Sequence, residues 1–412
     1  MKKAELMSPA GDFVCLDAAI KGGADAVYLG VKGFNMRAGA KNFSLLDLKK
    51  VCKICKKNSV KTYLTINTIY FEKELKSVEA LILKAANAGI DAFIAWDNGI
   101  LEILKKHKLT SFLSTQASVA NSQSIISYYK NFGITRFVLA RECSLDDIKE
   151  IRKSLQKSLG KKIADKIEVE VFVHGAMCVS ISGRCFLSQF NCGKSANRGE
   201  CSQPCRREYL IKDITQKDVD FVVGQSYILS PKDLCTLPFL DLLLDAKIDS
   251  LKIEGRSRNP EFVYTATKAY RTVIDAYYAK DKKLPEIKKS LMDELEKVFN
   301  RGFSDGFFMG KAIKNWQTDC AGNRSETKKI IVGKVVNFYP KISVAELKVE
   351  SSTIKVGQLL QIEGVNSGIT RFNAESMQIN KNVVPSAKKG DFVAVKTPNK
   401  VKKGDRVYSF IS

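Results

Sequence analysis

Four cysteines, Cys178, Cys185, Cys201 and Cys205, stand at the spacing C-x6-C-x15-C-x3-C. Thiolates gathered in this way select soft metal centres, meaning iron–sulfur clusters, zinc or cuprous copper. Structural zinc sites usually carry two short CxxC-type knuckles, and here only Cys201 and Cys205 form a tight pair. Cluster loops tolerate wider separations, so the spacing favours a [4Fe-4S] cluster, with zinc as the alternative. The intervening residues are rich in Ser, Gly, Asn, Gln and Arg, which suits a loop whose N–H groups hydrogen-bond to sulfur. Cys192 and Cys235 belong to the same region and read as substitute ligands or, more simply, as buried or idle thiols.

Other chemistries find less support. The chain has two histidines: His107, in the polar run KKHK, reads as solvent-exposed, and His174 lies four residues before Cys178. There is no HExxH for a zinc protease. The pair Cys52 and Cys55 falls inside a helical pattern rather than at its start, where a redox CxxC would gain its low pKa. Hydrolysis is therefore the weaker enzyme class.

The elements that must position these residues alternate between short β-rich runs and longer helical patterns, the signature of βα units and a parallel sheet. Strands are expected at residues 5–8, 26–30, 62–68, 92–97, 112–118, 136–140, 168–174 and 250–254. Helices are expected at 47–57, 75–87, 145–158 and 259–279, the last with Pro260 near its start. Eight strands in this order fit an α/β fold, a (β/α)8 TIM-type barrel, with the cysteine-rich segment at about 176–245 inserted before the eighth strand.

Strand alternation assigns the lumen. On the seventh strand Glu168, Glu170, Phe172 and His174 share one face, and on the eighth Ser250, Lys252 and Glu254 do so, with the apolar partners facing the helices. Strands three and five add Thr65, Asn67, Ser114 and Gln116. Lumenal polar groups must be satisfied by one another, by water or by a ligand. Barrel active sites sit at the C-terminal strand ends. The catalytic candidates are accordingly His174, Glu254 and Arg256, and the candidate substrate contacts are Asn67, Gln116, Glu170, Arg184 and Lys252. Glu168, deeper in, reads as structural.

The 412 residues exceed one ordinary core. Residues 1–280 read as the barrel, 281–327 as a helical and linker segment, and 328–412 as a small C-terminal all-β barrel domain with turns at Lys389-Gly390-Asp391 and Lys403-Gly404-Asp405. Lys and Arg number 67 against 44 acidic residues, a net charge of +23, which suits an RNA partner or a solvated basic surface. The last 85 residues hold 15 Lys and Arg against 6 Asp and Glu. The opening MKKAELMSPAGD has no apolar run of signal-peptide or membrane length, so a cytoplasmic protein without a membrane partner is expected.

The stretches EVEVFVHGAMCVSISGRCFLSQF, NRGECSQPCRREY, SPKDLCTL and LKIEGRSRNPEFV, with the opening MSPAGDFVCLDAAIKGGADAVYLG and NRGFSDGFF, resemble the collagenase-like peptidase family U-32. The resemblance is strongest to the branch that hydroxylates the wobble uridine of tRNA to 5-hydroxyuridine. It implies a TIM-type barrel, a [4Fe-4S] cluster on Cys178, Cys185, Cys201 and Cys205, tRNA as partner, and prephenate as a required metabolite, without dioxygen. His174, Arg184, Glu254 and Arg256 are then candidate contacts to such an anionic metabolite, because a guanidinium grips a carboxylate bidentately. The alternatives are peptidase activity, hydroxylation of ribosomal RNA or a ubiquinone precursor, and a non-catalytic RNA-binding protein with structural zinc.

Overall fold

The computed structural model describes residues 3–209, 227, 229–310, 316–320, 322–325 and 327–411. The part of the cysteine-rich insertion at 210–226 thus lies outside the described residues. Two compact units emerge, one of Met1–Gly11 with Ala19–Arg324 and one of Asp12–Ala18 with Ser325–Ser412.

The first unit is a closed parallel barrel. Its strands are β1 (Glu5–Pro9), β2 (Ala26–Leu29), β3 (Lys61–Thr65), β4 (Ala92–Ala95), β5 (Ser111–Leu113), β6 (Arg136–Val138), β7 (Glu168–Ala176) and β9 (Ser250–Ile253). Each pairs with the next, β7 pairs with β9, and β9 returns to β1 through Glu5 opposite Ser250. Two short strands extend the rim: β8 (Asp233–Cys235) runs antiparallel to the end of β7, and β10 (Phe303–Ser304) pairs with β8. Neither was expected, because runs of two or three residues carry no periodicity. The outer helices begin where the sequence supplies caps. Ser144 and Asp147 form a capping box for Leu145–Leu159, and Asn259 accepts from the Phe262 N–H with Pro260 in the first turn of Pro260–Tyr278.

The lumen is packed from below by Met7, Ala26, Tyr28, Tyr63, Ala92, Ile94 and Phe112, one residue or two from each of five strands. Beside them lies a closed ionic layer. Arg136 reaches Glu5 and sits 2.8 Å from Glu168 and 3.8 Å from Glu170, and Lys252 Nζ donates to Glu170 Oε1 at 3.0 Å. Five charged side chains neutralise one another here, which answers the desolvation each would otherwise suffer.

Apart from the helical residues it takes from Phe13–Lys21, the second unit is all-β. Lys328–Tyr339 pairs antiparallel with Val344–Val349 and with Arg406–Ile411 inside an eight-stranded sheet, and a two-stranded sheet accompanies it. Val332, Leu347, Leu360, Val393 and Val407 share one core. Both expected turns are made alike: Asp391 accepts from the Lys388 N–H and Asp405 from the Lys402 N–H.

Candidate active site

A solvent-connected cavity of about 910 Å³ opens at the C-terminal ends of the barrel strands. All four cysteines of the spaced set line it, together with Asn67, Gln116, Lys252, Glu254 and Arg256. Cys178, Cys201 and Cys205 also line an adjoining cavity of about 880 Å³, shared with Arg206, Arg258 and Arg301. Three of the four thiols are therefore common wall to both spaces.

The loop that carries them is fastened to the barrel rim. Arg198 bridges to Glu74 (2.6 Å) and to the Ile69 carbonyl (3.0 Å), and the Ala38 N–H donates to the Gly199 carbonyl (3.0 Å). Asn197 accepts from the Cys185 N–H at 3.0 Å, the Leu187 N–H points at Cys185 Sγ (3.4 Å), and Arg206 donates to the carbonyls of Met177 and Pro231 (2.7 and 2.6 Å). Short turns, Ile181–Gly183, Ala196–Arg198 and Pro204–Arg206, with one helix, Leu187–Cys192, make up the rest.

The donor set suits a soft metal centre, iron–sulfur or zinc. It is all sulfur, it has cationic neighbours in Arg37 and Arg206, and none of its cysteines is in a disulfide. Among the described residues no three Cys, His, Asp or Glu side chains are gathered tightly enough to hold one metal ion. Burial pushes the metal-free Cys205 thiol up to about 11, and binding to a metal would remove that proton.

Around the thiols the cavity is cationic. Arg37 Nη2 lies 3.2 Å from Glu254 Oε1, and Arg256 Nη1 donates to Asn35 Oδ1 and Thr65 Oγ1 at 3.1 and 2.7 Å. Burial works to raise Glu254, but Arg37, Arg141 and Arg256 outweigh it and hold the carboxyl down at about 2. Glu254 is thus a fixed anion that orients Arg37 and accepts from Tyr28 (3.3 Å), poorly suited to exchange protons near neutral pH.

Three candidates need correction. His174 does not line either cavity. A β-bulge between Phe172 and His174 breaks the alternation, so His174 pairs with the outward-facing Ile253. Its ring lies among Phe262, Tyr270 and Phe303, with centroids 5.5–5.6 Å away. Burial, then nearby Arg258, pushes its pKa down to about 3, so it is a neutral core imidazole. Gly175, at φ +101°, follows the bulge, and a Cβ there would stand 2.3 Å from the Glu254 carbonyl oxygen. Glu170 is the second correction: it is fully buried in the ionic layer beneath the cavity. Arg184 is the third, exposed outside the cavity with Nη2 donating to Ser118 Oγ at 2.9 Å.

Of the remaining cysteines, Cys192 is exposed and outside both cavities, while Cys235 is buried beside Met292 and raised to about 12 by burial. Tyr28, Arg37 and Arg141, which were not among the sequence candidates, also stand on the cavity wall. Tyr28 and Arg141 were accessible to sequence reading, since Tyr28 has lumenal parity on β2 and Arg141 closely follows β6, at a C-terminal strand end. Arg37 lies in the long loop after β2 and carries no such signal.

A family model described as Peptidase family U32 matches residues 11–318. The chain is 43% identical over 99% of its length, and 98% of the relative's, to a protein of Methanocaldococcus jannaschii named an uncharacterized protease. It is 36% identical to a collagenase of Porphyromonas gingivalis, covering 98% of this chain and 97% of that one. It is also 33% identical to the tRNA hydroxylation protein P1 of Bacillus subtilis, over 82% of this chain and 78% of that one.

Proposed function

The chain belongs to peptidase family U32, and from that premise we propose that it is an iron–sulfur-dependent RNA-modifying enzyme, hydroxylating the wobble uridine of tRNA to 5-hydroxyuridine without dioxygen. The observation that carries this reading is one lumenal cavity lined by four cysteines and by no histidine among the described residues. Similarity to a tRNA hydroxylation protein supports it, as does the net charge of +23.

Cys178, Cys185, Cys201 and Cys205 would hold a [4Fe-4S] cluster, which supplies one-electron transfer at the cavity wall. Arg37, Arg141, Arg256 and Lys252 give the cavity the charge to receive anionic groups, whether of RNA or of prephenate, the metabolite we take to be required. Asn67 and Gln116 offer hydrogen bonds at its floor. A recessed site needs its base out of the stack, which a tRNA loop allows more cheaply than a duplex. Hydrolysis is disfavoured because the two histidines are placed elsewhere: His107 pairs with Glu79 at 2.6 Å, and His174 lies in the core. Among the described residues no thiol of the cavity has a neighbouring imidazole to activate it.

Nucleoside mass spectrometry of tRNA from a strain lacking the gene tests this. The expected result is loss of 5-hydroxyuridine and nucleosides derived from it, restored by the wild-type gene and not by a Cys201→Ala, Cys205→Ala gene. Unchanged tRNA with loss of ribosomal RNA hydroxylation, of a ubiquinone precursor or of collagen cleavage would replace the reading with the corresponding alternative.

A further inference from the structure

At the cavity floor, one hydrogen-bond chain has its polarity fixed by a backbone group. The Met36 N–H can only donate, and its partner is Asn67 Oδ1 at 3.4 Å. That contact turns the Asn67 amide so that Nδ2 faces Gln116, donating to Gln116 Oε1 at 3.2 Å and to Ser114 Oγ at 3.4 Å. Ser114 Oγ in turn donates to the same Gln116 Oε1. The Gln116 oxygen thus takes two donors, and the amide has one orientation left. Its Nε2 faces the other way, with no acceptor among the described residues, on a side chain that lines the cavity.

The placement is rigid as well as polar. Gln116 sits in the tight turn Thr115–Ala117 directly after β5, closed by Ser118 in the left-handed conformation (φ +53°). Asn67 follows β3, and its backbone carbonyl is held by Trp96 Nε1 at 3.0 Å. The floor therefore presents N–H donors and withholds an acceptor at this point.

We propose that Gln116, oriented by Asn67 and Ser114, is a specificity residue that reads a pyrimidine through its 4-keto oxygen and so selects uracil over cytosine. This rests on the RNA-modifying reading above. Uracil offers a carbonyl oxygen at C4, which the Gln116 N–H accommodates. Cytosine offers an amino group there, so two donors would face each other and both would lose their hydration. Discrimination from one such polar mismatch is on the order of tenfold.

The test is equilibrium binding of the full-length protein, purified anaerobically, to two anticodon-type RNA stem-loops that differ only by U or C at the first anticodon position. The wild type is expected to prefer the U loop by about tenfold. Gln116→Glu keeps an oxygen for Asn67 and Ser114 and presents a second oxygen to the cavity, so it should reverse the preference. Gln116→Ala should bind both loops with no preference, which guards against misfolding of the charged variant. Equal wild-type affinity for the two loops, or a Gln116→Glu protein that still prefers U, overturns the proposal while leaving RNA binding in place. Binding to neither loop overturns the RNA reading itself, and this proposal with it.

Discussion

The two ends of the barrel lumen carry similar residue types and put them to different use. Beneath the cavity, Arg136, Lys252, Glu5, Glu168 and Glu170 form a layer in which each charge meets an opposite one. At the mouth, Arg37 and Glu254 pair in the same way, yet thiols and the Gln116 amide face open space. A buried polar group satisfied by its neighbours holds the fold, whereas one left facing a cavity awaits a ligand. Lys252 belongs to both, fixed from below by Glu170 and lining the cavity above.

Removing one partner from the lower layer should produce the largest effect on stability. Lys252→Met leaves the Glu170 carboxylate fully buried with only Arg136, at 3.8 Å, near it, and we expect a loss of about 3 kcal/mol in denaturant unfolding. Changing both residues, Glu170→Gln with Lys252→Met, should recover most of that loss. If the single change costs nothing, the layer does not hold the fold as described.

The next effect separates His174 from the site. Its folded pKa, about 3, lies below the ordinary value of 6.5. Between those values the unfolded chain binds a proton that the folded chain does not. The stability from this group is therefore complete above pH 6.5 and is lost as pH falls, at about 1.4 kcal/mol per pH unit. His174→Phe should flatten unfolding stability between pH 6.5 and 4.5 by that amount and leave the proposed RNA modification at neutral pH intact. A variant inactive at neutral pH but normally folded would return His174 to the site.

Much of this division was legible in the sequence. Helical periodicity and β-rich runs located all eight barrel strands, and alternation placed Thr65, Asn67, Gln116, Lys252 and Glu254 in the lumen. The expected strands at 62–68, 92–97 and 112–118 overran their C-terminal ends, because the chain there leaves the sheet to build the mouth, as in the turn Thr115–Ala117. His174 was misplaced for a related reason: one inserted residue inverts facing, and a bulge is invisible to period-two counting. Arg37 is set by a long-range partner, Glu254, 217 residues away, which local pattern does not encode.

The smallest effect is expected outside the mouth. Arg184→Ala removes an exposed side chain bound to Ser118, and should change stability by less than about 0.5 kcal/mol and leave the proposed modification unaltered. A large loss of activity would extend the site beyond the cavity wall.

The claim that the mouth is a redox centre is tested most directly by iron, acid-labile sulfide and zinc analysis of anaerobically purified protein, wild type beside the Cys201→Ala, Cys205→Ala variant. We expect about four iron and four sulfide per wild-type chain and loss of both in the variant. Stoichiometric zinc without iron in the wild type, or a full iron complement in the variant, would contradict it.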